Sequence, residues 1–262
     1  MLIRTQCLGY APIESHFRAM LFPSLLIVFV AIGIHVSVTP PAPAPPMERQ
    51  KLNDFSMLLS RSIEFYKYSC WIHCALEIIT LILPTLLNQF PQSPSVQWVN
   101  TVFFDNFFLL PSSAQDRTIF FPSLRLFGAF LVLAGSIIRY IFYCQLGRHF
   151  TFQVAFLEDH RLVTTGPYSI VRHPAYTGGI TMKVGVLLWH ATPGSWLWQS
   201  RFYTKTVAWF GILPTLFAII SILITIAFLR PNKEDDMLKK EFGRKWDGWA
   251  SEVPYRLVPG VY

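Results

Sequence analysis

Charge is scarce in this chain. Only 14% of its 262 residues are Asp, Glu, Lys or Arg, against about 25% in soluble domains. With 52% hydrophobic residues and long uncharged runs, this excludes an ordinary soluble domain and points to an integral membrane protein. Cysteine is also sparse, at Cys7, Cys70, Cys74 and Cys144. No two of these form a CxxC pair and no Cys/His set has zinc spacing, so no metal is expected. Cys70 and Cys74 lie one helical turn apart in an apolar run and read as small buried side chains rather than a disulfide. The chain has no GxGxxG stretch, so a soluble Rossmann-type domain is not indicated, and no internal repeat is evident. The net charge is +7, yet the basic residues form no exposed arm or helix and no nucleic-acid motif occurs. No nucleic-acid partner is expected; the charge fits loops facing an anionic cytoplasmic leaflet.

What the chain does have is apolar runs. About 20 residues suffice to cross a bilayer as helix. Residues 19–38 carry no formal charge and read as a retained transmembrane helix rather than a signal peptide. A proline-rich linker follows at 39–46, then a polar segment, 47–68, expected on the cytoplasmic surface. Residues 69–87 are the second expected span, holding His73 and Glu77 one turn apart. An ionisable pair in a span faces the bundle interior, and a structural hydrogen bond is the favoured role. The loop 88–122 contains an aromatic stretch too short to span. Residues 124–144 are the third span, with Ser123 a candidate cap and Arg125 and Arg139 placed to snorkel. A shorter run at 177–191, interrupted by Lys183, is the fourth, and 206–229 the fifth. The expected fold is therefore all-α: a polytopic membrane bundle of about five transmembrane helices with a cytoplasmic C-terminal catalytic segment. The orientation comes from charge, since 14 of the 22 basic residues then fall on the cytoplasmic side.

Two polar blocks interrupt or follow these runs. The first, 159–177, reads DHRLVTTGPYSIVRHPAYT. Gly166-Pro167 marks a turn, and Arg172-His173-Pro174 marks a break, because the residue before proline is pushed out of helix. His160, Tyr168, Arg172, His173 and Tyr176 thus lie on short bent backbone beside a span, where a bound polar ligand or an interfacial anchor are the two readings. The second block, 230–262, begins where the last span ends. Arg230 precedes Glu234, Asp235 and Asp236, and an amphipathic helix follows with Met237, Leu238, Phe242 and Trp246 on about one face. The acids suit either a helix first turn or a site, and an arginine at that boundary can grip a carboxylate bidentately.

These residues carry a resemblance. Gln153, His160-Arg161-Leu162-Val163, Gly166-Pro167-Tyr168 and Arg172-His173-Pro174-Ala175-Tyr176, with Arg230, Glu234, Asp235, Leu238, Phe242-Gly243 and a Val-Pro…Pro ending, resemble the isoprenylcysteine carboxyl methyltransferases. The resemblance covers roughly 125–262, dividing the chain into an N-terminal membrane part, 1–122, without family signature and a catalytic region, 123–262. It implies methyl transfer from S-adenosylmethionine to the C-terminal carboxylate of a prenylated cysteine, in the endoplasmic reticulum membrane. It also implies that Gln153, His160, Arg161, Leu162, Val163, Tyr168, His173, Pro174, Ala175, Tyr176 and Glu234 hold the cofactor. Arg230 would meet the substrate, and Arg230 and Glu234 would form the catalytic pair. Two departures stand out. Asp235 replaces a second Glu, and Glu252 stands where relatives have a basic residue, leaving Arg256 as a candidate to restore that charge. A methyltransferase for phospholipid or another small molecule, and an NADPH-dependent sterol reductase suggested by the RHP motif and the tail, are the alternatives.

Overall fold

The computed structural model describes residues 13–39, 54–87, 89–90, 92–99, 101–102, 122–147, 162–193, 195–199, 220 and 229–261. Among them every regular element is helical. They are α1 (Ile13–Val38), α2 (Asp54–Leu87), α3 (Pro94–Val99), α4 (Ser123–Leu146), a 3-10 turn (Gly166–Ser169), α5 (Pro174–Ala191), α6 (Trp196–Gln199), α7 (Arg230–Phe242) and α8 (Arg244–Glu252).

Two helices are long and apolar enough to cross a membrane, Met20–Val38 and Ser123–Leu146. The fifth expected span lies almost wholly outside the described residues. The second needs correcting: residues 54–87 form one 34-residue helix rather than a surface segment followed by a span. Its polar residues Arg61 and Glu64 face outward, while Tyr66, Ser69 and Cys70 turn inward. That i, i+3, i+4 spacing continues one helical face across the expected boundary. The fourth run is helical throughout as α5.

The core is a four-helix contact. Ile27, Val30, Ala31 and Ile34 of α1, Tyr66, Cys70 and Cys74 of α2, Ala129 and Val132 of α4, and Met182, Val186 and Trp189 of α5 form one buried cluster. Cys70 and Cys74 are free thiols within it. The outer faces stay apolar and exposed, as at Leu21, Phe22, Leu25 and Phe29 of α1 and Phe127, Phe130 and Ile137 of α4. Lipid is the medium that such faces suit.

The closest packing is between α4 and α5, which run antiparallel on a glycine seam. A Cβ at Gly135 would lie 2.5 Å from the Gly178 carbonyl oxygen, and one at Gly185 would lie 2.6 Å from that of Gly128. Backbone therefore meets backbone at two points seven residues apart on each helix, the close approach that small residues permit between apolar helices.

Neither arginine of α4 snorkels. Arg125 is 2% exposed and Arg139 5%. Arg125 pairs with the equally buried Glu77 of α2 and lies over the Trp189 ring, 4.2 Å from its centroid. His73 packs instead against the rings of His190 and Trp196. Arg139 donates through Nε to the Ser37 carbonyl at 2.7 Å and through Nη1 to the Ala175 carbonyl at 3.2 Å. Tyr143 donates its hydroxyl to the same Ser37 carbonyl. A cation held by two main-chain oxygens has no reason to reach for the interface. Ser123 is likewise not a cap: the N-cap residue of α4 is Pro122, without a side-chain cap bond.

Candidate active site

The site is built where α5 begins. His173 is its N-cap residue and Pro174 its first helical residue, a position that suits proline because the missing N–H would find no helical partner there. The backbone entering this turn is held by the tail. The N–H groups of Arg172 and His173 donate to the carbonyls of Tyr255 (2.9 Å) and Arg256 (2.8 Å). The Thr177 hydroxyl donates to Leu257, and Arg172 Nη2 to Pro254. Four consecutive tail carbonyls, 254 to 257, are thereby taken by the end of the loop and the first turn of α5.

The tail reaches this place through a break. Gly243, at φ +51°, separates α7 from α8, a backbone conformation that glycine adopts without a Cβ penalty. The single amphipathic helix expected there is thus two. Trp246, Trp249 and Val253 of α8 and its exit then pack with Leu238 and Phe242 of α7 and with Leu162 and Tyr168 of the loop. Trp249 Nε1 donates to the Tyr168 carbonyl at 3.1 Å.

Helix α7 starts at Arg230, so Glu234 and Asp235 lie in its second turn, and its first turn holds no acid. The helix-cap explanation of these acids fails. Both turn toward the loop instead. The Tyr176 hydroxyl donates to Glu234 Oε1, Arg230 Nε lies 3.6 Å from the same oxygen, and His173 Nδ1 lies 3.5 Å from Oε2. On the other side of the imidazole, His173 Nε2 meets Asp235 Oδ1 at 2.9 Å. Asp235 Oδ2 is reached by Arg172 Nη1 at 3.1 Å and by Arg256 Nε at 3.2 Å. The Tyr176 ring stacks on His173, centroids 5.7 Å apart, with the Arg230 guanidinium 6.0 Å from the tyrosine centroid.

The electrostatics follow from this geometry. Burial opposes a charged His173, but hydrogen bonding and charge from Asp235 and Glu234 outweigh it and raise its pKa above the ordinary 6.5. Burial pushes Glu234 up, yet the His173 hydrogen bond and the Arg230 charge win and hold it below the ordinary 4.5. Burial also opposes charge on Arg230, which Tyr176 and Glu234 more than offset. Tyr168 is pushed above the ordinary 10, by burial first and then by the charge of Glu234. Contact between opposite charges thus favours the charged forms of His173, Glu234 and Arg230.

Of the residues predicted from sequence, Gln153, His160 and Arg161 lie outside the described residues. Leu162 and Val163 are half-buried on irregular backbone leading to the turn, and Tyr168 sits in the 3-10 turn, edge-on to Phe142. His173, Tyr176, Arg230 and Glu234 come together. Pro174 and Ala175 shape the first turn of α5, with the Ala175 carbonyl held by Arg139. Sequence reasoning placed Arg172 in the candidate ligand loop and Asp235 among the tail acids without assigning either a site role, and it expected Arg139 to snorkel. Their signal is placement, since Arg172 adjoins His173 and Asp235 adjoins Glu234. Arg256 does not stand free to replace a charge near Glu252, because it is engaged by Asp235. Among the described residues no group of three or more His, Cys, Asp or Glu could hold a metal.

An all-helical frame with lipid-compatible faces, closed at one end by a buried cluster of acid, imidazole, phenol and guanidinium, defines a membrane-type helical protein with a charged site at its helix ends. The likeness to isoprenylcysteine carboxyl methyltransferases is shown: the model of that family matches residues 128–208, a stretch that runs from within α4 through the loop and α5. Protein-S-isoprenylcysteine O-methyltransferase B of Arabidopsis thaliana is 30% identical over 144 residues, 52% of this chain and 63% of the relative. The Dictyostelium discoideum protein-S-isoprenylcysteine O-methyltransferase is 39% identical over 154 residues, 55% of this chain and 54% of the relative. A 7-dehydrocholesterol reductase of Arabidopsis thaliana is 30% identical over 105 residues but matched over only 23% of its length. The chain thus spans less than two thirds of the length of these relatives.

Proposed function

We propose that the protein transfers a methyl group from S-adenosylmethionine to the C-terminal carboxylate of a prenylated cysteine. The observation that carries this reading is the meeting of His173 and Tyr176 with Arg230 and Glu234. These are two segments more than 50 residues apart that the family resemblance assigns to one site. The chemistry suits the groups present. A C-terminal carboxylate is ionised near neutral pH, so the reaction requires no general base and depends on alignment. The cofactor supplies an electrophilic methyl on a sulfonium.

The chain's own residues then bind and orient. The planar guanidinium of Arg230 has the fork geometry that matches a carboxylate at two points. Glu234, held ionised, is an acceptor for the amine or hydroxyl groups of the cofactor. The faces of Tyr168 and Tyr176 favour a cationic sulfur. Leu162 sends its side chain into the tail tryptophans, which leaves its main chain and that of Val163 to hydrogen-bond a flat heterocycle. Gln153, His160 and Arg161 complete the cofactor set in this reading, with Pro174 and Ala175 fixing the turn. The prenyl chain enters from lipid. Five transmembrane helices, a catalytic region at 123–262 facing the cytoplasm, and residence in the endoplasmic reticulum belong to the same proposal.

Purified protein tests it. S-adenosylmethionine or S-adenosylhomocysteine should raise the unfolding temperature, because a ligand selective for the folded state stabilises it. Labelled methyl should pass to a farnesylated cysteine analogue and not to phosphatidylethanolamine. Methylation of the phospholipid instead would favour the small-molecule alternative. The likeness to a sterol reductase makes NADPH the control, and stabilisation by NADPH alone would sink the methyltransferase reading.

A further inference from the structure

Asp235 is 4% exposed and meets three cationic side chains from three places in the chain: Arg172 and His173 from the loop and Arg256 from the tail. We infer that Asp235 is a positioning residue. It holds His173 through Nε2 so that Nδ1 faces Glu234, while Arg172 and Arg256 hold Asp235 in turn. The inference rests on the reading of 173–176 and 230–234 as the cofactor and substrate site, and it adds residues 254–257 to that site's assembly.

The reasoning begins with the imidazole. Both ring nitrogens face carboxylates, at 2.9 Å and 3.5 Å. A neutral ring has one N–H and one lone pair, so it would set a lone pair against an acid; the doubly protonated ring donates to both. The charged groups facing this ring and its two acids are Arg172, Arg256 and Arg230. The Tyr176 ring covers one face. Removing the charge of Asp235 leaves the Arg172 and Arg256 guanidinium groups against a neutral amide and leaves His173 with one acid. The ring then loses its second proton at lower pH, and Glu234 loses a donor. The tail is part of this because Arg256 enters the cluster while its own carbonyl receives the His173 N–H. One residue thus fixes the backbone of His173 and, through Asp235, its side chain. Cofactor affinity should therefore depend on Arg256, which acts on the site through Asp235.

The experiment uses full-length protein in detergent, labelled with 15N-histidine, with His173→Asn to assign the signal. In the unaltered protein both His173 ring nitrogens should be protonated at about pH 7.5, above the usual histidine range. Asp235→Asn should lose one of those protons and Asp235→Glu should keep both. Binding of S-adenosylhomocysteine should be flat from about pH 5.5 to 8.5 in the unaltered protein. In Asp235→Asn it should weaken about tenfold as pH rises past the ordinary histidine value, with recovery in Asp235→Glu. A purely structural role lowers thermal stability and leaves the two binding profiles parallel, and that outcome would overturn the inference. So would a singly protonated His173 in the unaltered protein. Should Asp235→Asn fail to fold, Arg256→Gln takes its place, since that side chain is 31% exposed; with one cation fewer beside Asp235, His173 should keep both protons to higher pH, and earlier loss of a proton would overturn the inference. If the unaltered protein binds no S-adenosylhomocysteine, the cofactor reading falls and the positioning role falls with it. The ring-nitrogen signal would still separate that failure from a wrong view of the Asp235–His173 pair.

Discussion

A single methyl group at Gly135 tests the seam on which the site rests. In Gly135→Ala the new Cβ would lie 2.5 Å from both the Gly178 carbonyl oxygen and the Met182 amide nitrogen. Ordinary contact begins near 3.4 Å, so α4 and α5 must separate by about 1 Å, enough to forfeit a sizeable part of their mutual dispersion contacts. Neither neighbour can swing aside, because both are backbone atoms. Overpacking of this kind costs about 1–3 kcal/mol, while alanine itself favours helix over glycine by about 1 kcal/mol. Gly248→Ala in α8 supplies the comparison, since a Cβ there meets nothing within 4 Å and only the propensity gain remains. The difference between the two variants isolates the clash, about 1–3 kcal/mol. Thermal or denaturant unfolding in one detergent measures it, with Gly135→Ala less stable and Gly248→Ala at least as stable as the parent. Because α5 carries His173 and Tyr176 at its first turn, Gly135→Ala should also weaken S-adenosylhomocysteine binding. Equal stability of the two alanine variants would refute the backbone-contact reading of the seam.

Other outcomes follow from the same geometry. Arg230→Ala should raise KM for a prenylcysteine analogue more than it changes cofactor affinity, and Glu234→Ala should do the reverse; titration calorimetry with S-adenosylhomocysteine separates them. Glu77→Ala leaves Arg125 buried without its acid and should cost about 3–5 kcal/mol, whereas Glu77→Leu combined with Arg125→Met should cost less. Unfolding measurements on the three proteins decide it. The pH dependence of stability has a definite sign. His173 is raised in the folded state, so its contribution is complete below the unfolded value of 6.5 and is lost as pH climbs through the folded one. Glu234 is lowered, so its contribution is complete above 4.5 and is lost as pH falls through the folded value. The cluster should therefore contribute most between 4.5 and 6.5. The His173→Asn and Glu234→Gln variants should each flatten one flank of a melting-temperature profile against pH.

The sequence made some of this legible. The apolar runs announced α1, α4 and α5, although the fourth run reads from residue 177 and the helix already begins at Pro174, directly after the break at Arg172-His173. The convergence of 173–176 with 230–234 is what the resemblance to the family implies; spacing alone does not show it. What stayed hidden depended on partners far away in the chain. Arg125 at the end of an apolar run looks like a snorkelling side chain until Glu77, 48 residues earlier, is placed against it. Arg61 and Glu64 look like a boundary because polarity along the chain does not say which way a helix faces. Asp235 looked like a mild substitution because its meaning lies in Arg172 and Arg256, which share no local pattern with it. Gly243 was read as part of a motif, and only its positive φ shows it turning one helix into two.

The arginine at 139 reaches across 102 residues to a main-chain oxygen at Ser37. Every amino acid carries such an oxygen, so this grip asks nothing of the side chain at position 37, only that the end of α1 arrive there. The tail carbonyls from 254 to 257 are gripped on the same terms. Bonds of this kind conserve position while leaving spelling free. The N-terminal helices can therefore drift in sequence and still be held in register with the site, and recognisable family sequence can thin out well before the architecture does.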